Sequence, residues 1–203
     1  GSKNFYNFLK TSPASSKFFK NINNLNFFKK VRNKILNKDH SDWFIKENNF
    51  RFSKKTSGAQ TGKKITNKKT NKNRNILYLD MDFSCSEKGY NRGPHRDRET
   101  RIINFLIYLN TLSKVDGGVL SFYDIKKKSG FKFPRFPKVS KLKIFEKIKA
   151  KQGVGIFFLS SPDSYHAVSK FFGKTNKKRY FIYGSFSLNK PVTWKSCHLQ
   201  TNI

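Results

Sequence analysis

The chain has 203 residues, a length that suits one domain with one hydrophobic core. It carries 43 Lys and Arg against 12 Asp and Glu, a net charge of +31, and a field of that size attracts polyanions such as nucleic acid or acidic glycans. No apolar run approaches the roughly 20 residues needed to span a bilayer, no charged-then-apolar leader opens the chain, and Cys85 and Cys197 form no metal-ligand spacing, so two free thiols in a reducing, cytoplasmic compartment are expected.

Gly1-Ser2 reads as an expression scar. Residues 3–50 are rich in Phe, Lys and Asn, and Phe18, Phe19, Ile22, Leu25, Phe28, Val31 and Ile35 recur at spacings of three and four. That period predicts an amphipathic helical region, with "TSPAS" as its start, packed against a sheet. Residues 53–75 lose almost all apolar character, and Lys, Thr, Asn and Gly take over, which predicts a basic loop.

From Asn75 the period changes. "ILYLDMDFS" places Ile76, Tyr78 and Asp80 on one face and Leu77, Leu79, Met81 and Phe83 on the other. "RIINFLIYLN", "GGVLSFYD", "GVGIFFLSS", "HAVSKFF" and "RYFIYGSFS" follow, short strands punctuated by Gly, Pro, Ser and Asp, the pattern of a sandwich or barrel. Residues 126–152 interrupt it, and their first half, "KKKSGFKFPRFPKVS", reads as a long basic connection or insertion. The expected organisation is one domain: residues 1–74, a helical region and basic loop packed on the core, and residues 75–203, the β core.

A mononuclear non-haem iron centre can be held by two histidines and one carboxylate on one face of the metal. His95-Arg96-Asp97 supplies a close His and Asp, and His166, between two apolar strands, is the partner from a distant strand. The spacing alone is weak, because His40-Ser41-Asp42 repeats it. No strand pair follows that copy, and it reads as a turn or helix-boundary pair.

"HRD", "RIINFLIYLN", "GGVLSFYD", "GVGIFFLSSPDSYHAV" and "RYFIYGSFS", in that order from Leu77 to Ser187, resemble the 2-oxoglutarate- and Fe(II)-dependent dioxygenases, particularly their prolyl-4-hydroxylase-like group. The resemblance implies a mainly β fold with flanking helices, a double-stranded β-helix (cupin-like jelly roll) whose open end holds the metal. It implies His95, Asp97 and His166 as iron ligands, and Arg179 as the anchor for the distal carboxylate of 2-oxoglutarate, with Lys177 and Lys178 as competitors. A guanidinium fork matches a carboxylate in bidentate fashion. Tyr108 matches a tyrosine that binds the same carboxylate in some relatives; the pattern fits a core aromatic equally well. Arg101 falls where relatives carry an arginine near the substrate entrance, or is a surface charge. Tyr90 and Asn91 are possible pocket-lining residues, Arg96 and Arg98 read as flanks of the entrance, and Gly117-Gly118 reads as a tight turn.

The implied activity is hydroxylation of an unactivated C–H bond with Fe(II), 2-oxoglutarate and O2, ascorbate being a candidate reductant. A peptidyl, prolyl-type substrate follows from the motif order; an acidic sugar, a nucleotide or nucleic acid follows from the charge. The rival classes are a non-enzymatic polyanion-binding jelly roll, which needs no such ligand set, and a cupin-like metal protein without 2-oxoglutarate, which needs no Arg179.

Overall fold

The computed structural model describes residues 2–35, 50–54, 75–175 and 177–192. The sequence readings at His40, Asp42 and Cys197, and at nearly all of the basic loop, lie outside these residues. Cys85 is an exposed free thiol. Among the described residues no helix is long and apolar enough to cross a membrane.

Three helices come first: α1 (Ser2–Thr11), α2 (Pro13–Ile22) and α3 (Leu25–Ile35). Ser12 caps α2, its hydroxyl accepting from the Ser15 amide, and Pro13 occupies the first turn, where its missing N–H costs nothing. The apolar period runs on from Phe18 to Ile35, but the helix breaks at Asn23-Asn24. Asn24 Oδ1 accepts from the Phe27 amide at 2.8 Å and starts α3, while Asn23 Nδ2 donates to the Lys54 carbonyl at 2.9 Å. Phe5, Leu9, Phe19, Ile22 and Phe28 are the buried positions of these helices.

Nine strands follow: β1 (Phe50–Ser53), β2 (Asn75–Ser86), β3 (Arg92–His95), β4 (Arg101–Tyr108), β5 (Leu120–Ile125), β6 (Leu142–Ile148), β7 (Gly155–Leu159), β8 (Tyr165–Val168) and β9 (Arg179–Leu188). One sheet has the order β1-β2-β9-β4-β7 and the other β3-β8-β5-β6. Strands β2 to β9 thus supply four strands to each sheet, the jelly roll expected of this sequence, and β1 adds in parallel to β2. Strands β2 and β4 bury side chains on both faces, which is why they read as nearly continuous apolar runs.

The stretch 126–152 is a connection only in its first half. Its second half is β6, paired antiparallel to β5 along its whole length. Only Leu142 of β6 is buried, and Ile144 and Phe145 face solvent, so the strand carries no alternation to reveal it.

The chain divides into two compact units. One takes the described residues up to Asp82, Glu99–Asn104 and those from Tyr183 onward; there Phe28 of α3 packs on Phe50 and Phe186. The other takes Phe83–Arg98 and Phe105–Ile182, and it contains the whole β3-β8-β5-β6 sheet.

Candidate metal centre

"GPH" can sit in a strand because β3 is at the edge of its sheet, where a proline's missing donor breaks no ladder. A register irregularity between Arg92 and His95 re-aims the end of the strand. His95 then pairs directly with His166 of β8, so both imidazoles leave the same face as cross-strand neighbours. Their ring centroids lie 4.4 Å apart. Asp97, two residues beyond His95, brings Oδ2 to 3.5 Å from His166 Nε2. All three side chains are buried, and one donor atom from each lies within 4.8 Å of the others.

The second nitrogen of each ring is occupied. His95 Nδ1 stands 2.9 Å from the Gly93 carbonyl and His166 Nδ1 3.3 Å from the Ser164 carbonyl. A carbonyl only accepts, so Nδ1 carries a proton in both rings and Nε2 is the nitrogen that faces the centre. Burial, with His166 beside it, lowers the His95 pKa to about 4, so the ring is neutral at physiological pH, as a ligand must be. Arg92 Nε makes a long 3.4 Å hydrogen bond to His95 Nε2, the lone pair a metal would claim. Two imidazoles and a carboxylate, buried together, form a donor set that fits a non-haem Fe(II) ion.

Three phenylalanines flank the histidines. Phe122 is the β5 register partner of His166, Phe158 meets the His166 ring edge-on at 4.9 Å, and Phe136 stacks along His95 at 6.4 Å. The sequence reading missed these residues and Arg92. With 22 phenylalanines in the chain, one more carries no signal of a site.

The same unit holds a second buried constellation. Arg179, at the start of β9, is 1% exposed, and its Nε and Nη2 have no hydrogen-bond partner among the described residues. The Tyr108 hydroxyl is buried and unpartnered in the same way. The guanidinium lies 4.3 Å from the Phe181 ring centroid and 5.2 Å from that of Tyr108. Burial pushes the Tyr108 phenol pKa up, and the Arg179 charge only partly opposes it, so the hydroxyl stays a neutral donor. Gly118 is more than a turn residue: at φ +68° its missing side chain leaves room for Arg179, whose Cδ would lie 3.1 Å from any Cβ there. His166 and Arg179 are both tied to β5, through Phe122 and through Gly118 just ahead of it. A buried guanidinium fork and a phenol with unused donors fit a carboxylate.

The other sequence-named residues fall elsewhere. Lys177 and Lys178 are exposed, and Lys178 pairs with Glu87 at 2.8 Å. Arg101 is no surface charge: it is buried in the other unit, bonded to the Tyr183 hydroxyl with its guanidinium over that ring. Tyr90 and Asn91 are exposed ahead of β3, and Arg98 is exposed. Arg96 is half-buried, and it ties down the 126–141 connection through the Phe133 and Arg135 carbonyls.

Fold and site define a double-stranded β-helix with a buried His-x-Asp…His centre. The model of the 2OG-Fe(II) oxygenase superfamily matches residues 81–186, just over half of the chain, and the chain belongs to that superfamily. The cofactors of that superfamily are Fe(II), 2-oxoglutarate and O2. Among solved structures the chain is similar to a prolyl-4-hydroxylase of Pseudomonas putida, at 21% identity over 54% of this chain and 52% of that one, TM-score 0.38. It is also similar to a prolyl 4-hydroxylase of Phytophthora capsici (16%, 55% and 31%, 0.34) and to the Fe(II)/α-ketoglutarate-dependent dioxygenase TqaL (14%, 61% and 46%, 0.38). The chain thus spans about half or less of the length of each. No curated protein sequence matches it.

Proposed function

We propose that this chain is an Fe(II)- and 2-oxoglutarate-dependent oxygenase that hydroxylates an unactivated C–H bond. The balance is R–H, 2-oxoglutarate and O2 to R–OH, succinate and CO2. The observation that carries the reading is a pair of incomplete buried constellations in one unit. One is a buried His-Asp-His donor set whose ligand atoms lie within 4.8 Å of one another; the other is a guanidinium and a phenol with unused donors.

In this reading His95, Asp97 and His166 hold Fe(II), which when bound supplies the activation of O2. The Gly93 and Ser164 carbonyls keep both rings in the ligating tautomer. The Arg179 fork takes the distal carboxylate of 2-oxoglutarate in bidentate fashion, and the Tyr108 hydroxyl donates to the same group. Phe122 and Phe158 pack on each other and on the His166 ring and hold it in place. The motif order supports a peptidyl, prolyl-type substrate. A second reading, the same chemistry on a polyanion, has an observation of its own in the basic, aromatic segment beside His95. A reducing, cytoplasmic setting is part of the same proposal.

The test is anaerobic addition of Fe(II) and 2-oxoglutarate to the purified protein. A weak visible metal-to-ligand charge-transfer band is expected, and its absence after metal reloading would sink the oxygenase reading. Asp97→Ala should give no band and no bound iron. Loss of the band in His40→Ala but not in His95→Ala would show that the wrong His-Asp pair was chosen.

A further inference from the structure

The connection from Lys126 to Lys141, between β5 and β6, has an inner and an outer side. Inward, Phe131 and Phe133 pack on the cluster of Ile125, Leu142 and Tyr165. The Tyr165 hydroxyl donates to the Pro134 carbonyl at 2.8 Å, and Arg96 donates from its amide and its Nε to the Arg135 and Phe133 carbonyls. Phe133 is held at φ +47°, a conformation that a bulky residue adopts only where its surroundings impose it. The segment is therefore a built platform.

Outward, it is chemically uniform. Lys126, Lys127, Lys128, Lys132, Arg135, Lys138 and Lys141 are all exposed, and no acidic residue lies among them. In their midst Phe136 is 64% exposed, stacked along the His95 ring, with the Arg135 guanidinium 5.2 Å from its centroid. An exposed ring beside a metal ligand, framed by cations, offers a stacking surface inside a positive field.

We propose that this platform binds single-stranded nucleic acid, with Phe136 stacking one base beside the metal centre and the flanking Lys and Arg taking phosphates. As a substrate assignment the proposal rests on the oxygenase reading, and it competes with the peptidyl substrate. Nucleic acid is favoured because each of its residues carries both a flat ring and a negative charge, the two features this surface complements. An acidic peptide supplies charge without a regular ring, and an acidic glycan offers no π-face.

The test is fluorescence anisotropy of a labelled oligothymidylate of about 20 nucleotides with the whole protein over a salt series. Binding should weaken steeply with salt. Phe136→Ala should weaken it roughly 5- to 150-fold with an unchanged salt slope, since stacking is lost and charge is kept. Arg135→Ala with Lys138→Ala should make the slope shallower by about 0.7 per lost phosphate contact. The control carries Lys10, Lys17, Lys20 and Lys30 changed to Ala, all exposed on the helices. If that control costs as much as the platform variant, or Phe136→Ala changes nothing, only a diffuse field binds and the proposal falls. If polyglutamate or heparin at matched charge displaces the oligonucleotide with the same dependence on Phe136, the platform reads peptide or glycan and the proposal also falls. The charge-transfer band, measured on the same samples, separates the two readings. A band without oligonucleotide binding overturns the platform alone; Phe136-dependent binding without a band overturns the oxygenase.

Discussion

Asp116 and Arg179 are both buried charges in the same unit, and the fold treats them in opposite ways. Asp116 is fully buried and accepts from the Ser113 amide at 3.0 Å, the Thr175 amide at 2.9 Å and the Thr175 hydroxyl at 2.8 Å. The Thr175 amide leads the contacts that hold its pKa below the ordinary carboxylate range. Arg179 is equally buried, yet two of its nitrogens have no partner among the described residues, and its compensation is two aromatic faces. A buried charge that the fold satisfies is a clamp, here between the 113–116 turn and the β8–β9 connection. A buried charge left unsatisfied is costly unless something from outside completes it.

Arg179→Met tests the contrast most severely. Losing one partner of a buried charge pair costs about 2–4 kcal/mol in binding, so 2-oxoglutarate affinity should drop roughly 30- to 1,000-fold in a titration of the iron-loaded protein. The ligand-free protein should melt no lower than wild type, and somewhat higher, because an apolar chain of similar length replaces an unpaired buried charge. A lower melting temperature with unchanged 2-oxoglutarate affinity would mean that Arg179 is satisfied by the fold after all.

Asp116→Ala should behave in reverse. It removes the buried acceptor that ties Ser113 to Thr175, so the melting temperature should fall by several degrees. The affinity for 2-oxoglutarate should fall far less than in Arg179→Met. If both variants lose binding equally, Asp116 supports the anchor through Gly117 and Gly118, and the division between clamp and anchor fails.

Much of this was legible in the sequence because the jelly-roll strands carry apolar runs punctuated by turn residues, and because His95, Asp97, His166 and Arg179 sit at their ends. The partition of charge was only half legible. Lys177, Lys178 and Arg179 stand side by side, and strand phase rather than residue type decides that the arginine turns inward while Lys178 reaches Glu87. Arg101 is buried by Tyr183, a partner 82 residues away that no local pattern reveals. The helix break at Asn23-Asn24 is set by hydrogen bonds that leave the apolar period intact, and β6 is an exposed strand with no alternation to read. Phe136 was hidden because its meaning comes from the register that places His95 beside it.

Tyr108→Phe is the finest test, because it removes one oxygen and leaves the ring under Arg179. If the hydroxyl donates to the 2-oxoglutarate carboxylate, affinity should fall by about 1–2 kcal/mol, roughly 5- to 30-fold, less than for Arg179→Met. The ligand-free protein should lose little stability, since among the described residues the only polar group beside the buried hydroxyl is the Arg179 guanidinium. The raised phenol pKa keeps the donor protonated through neutral and mildly alkaline pH. The ratio of wild-type to Tyr108→Phe affinity should therefore stay flat across that range. An unchanged affinity would make Tyr108 a core aromatic that only carries the guanidinium on its face, leaving Arg179 as the sole anchor.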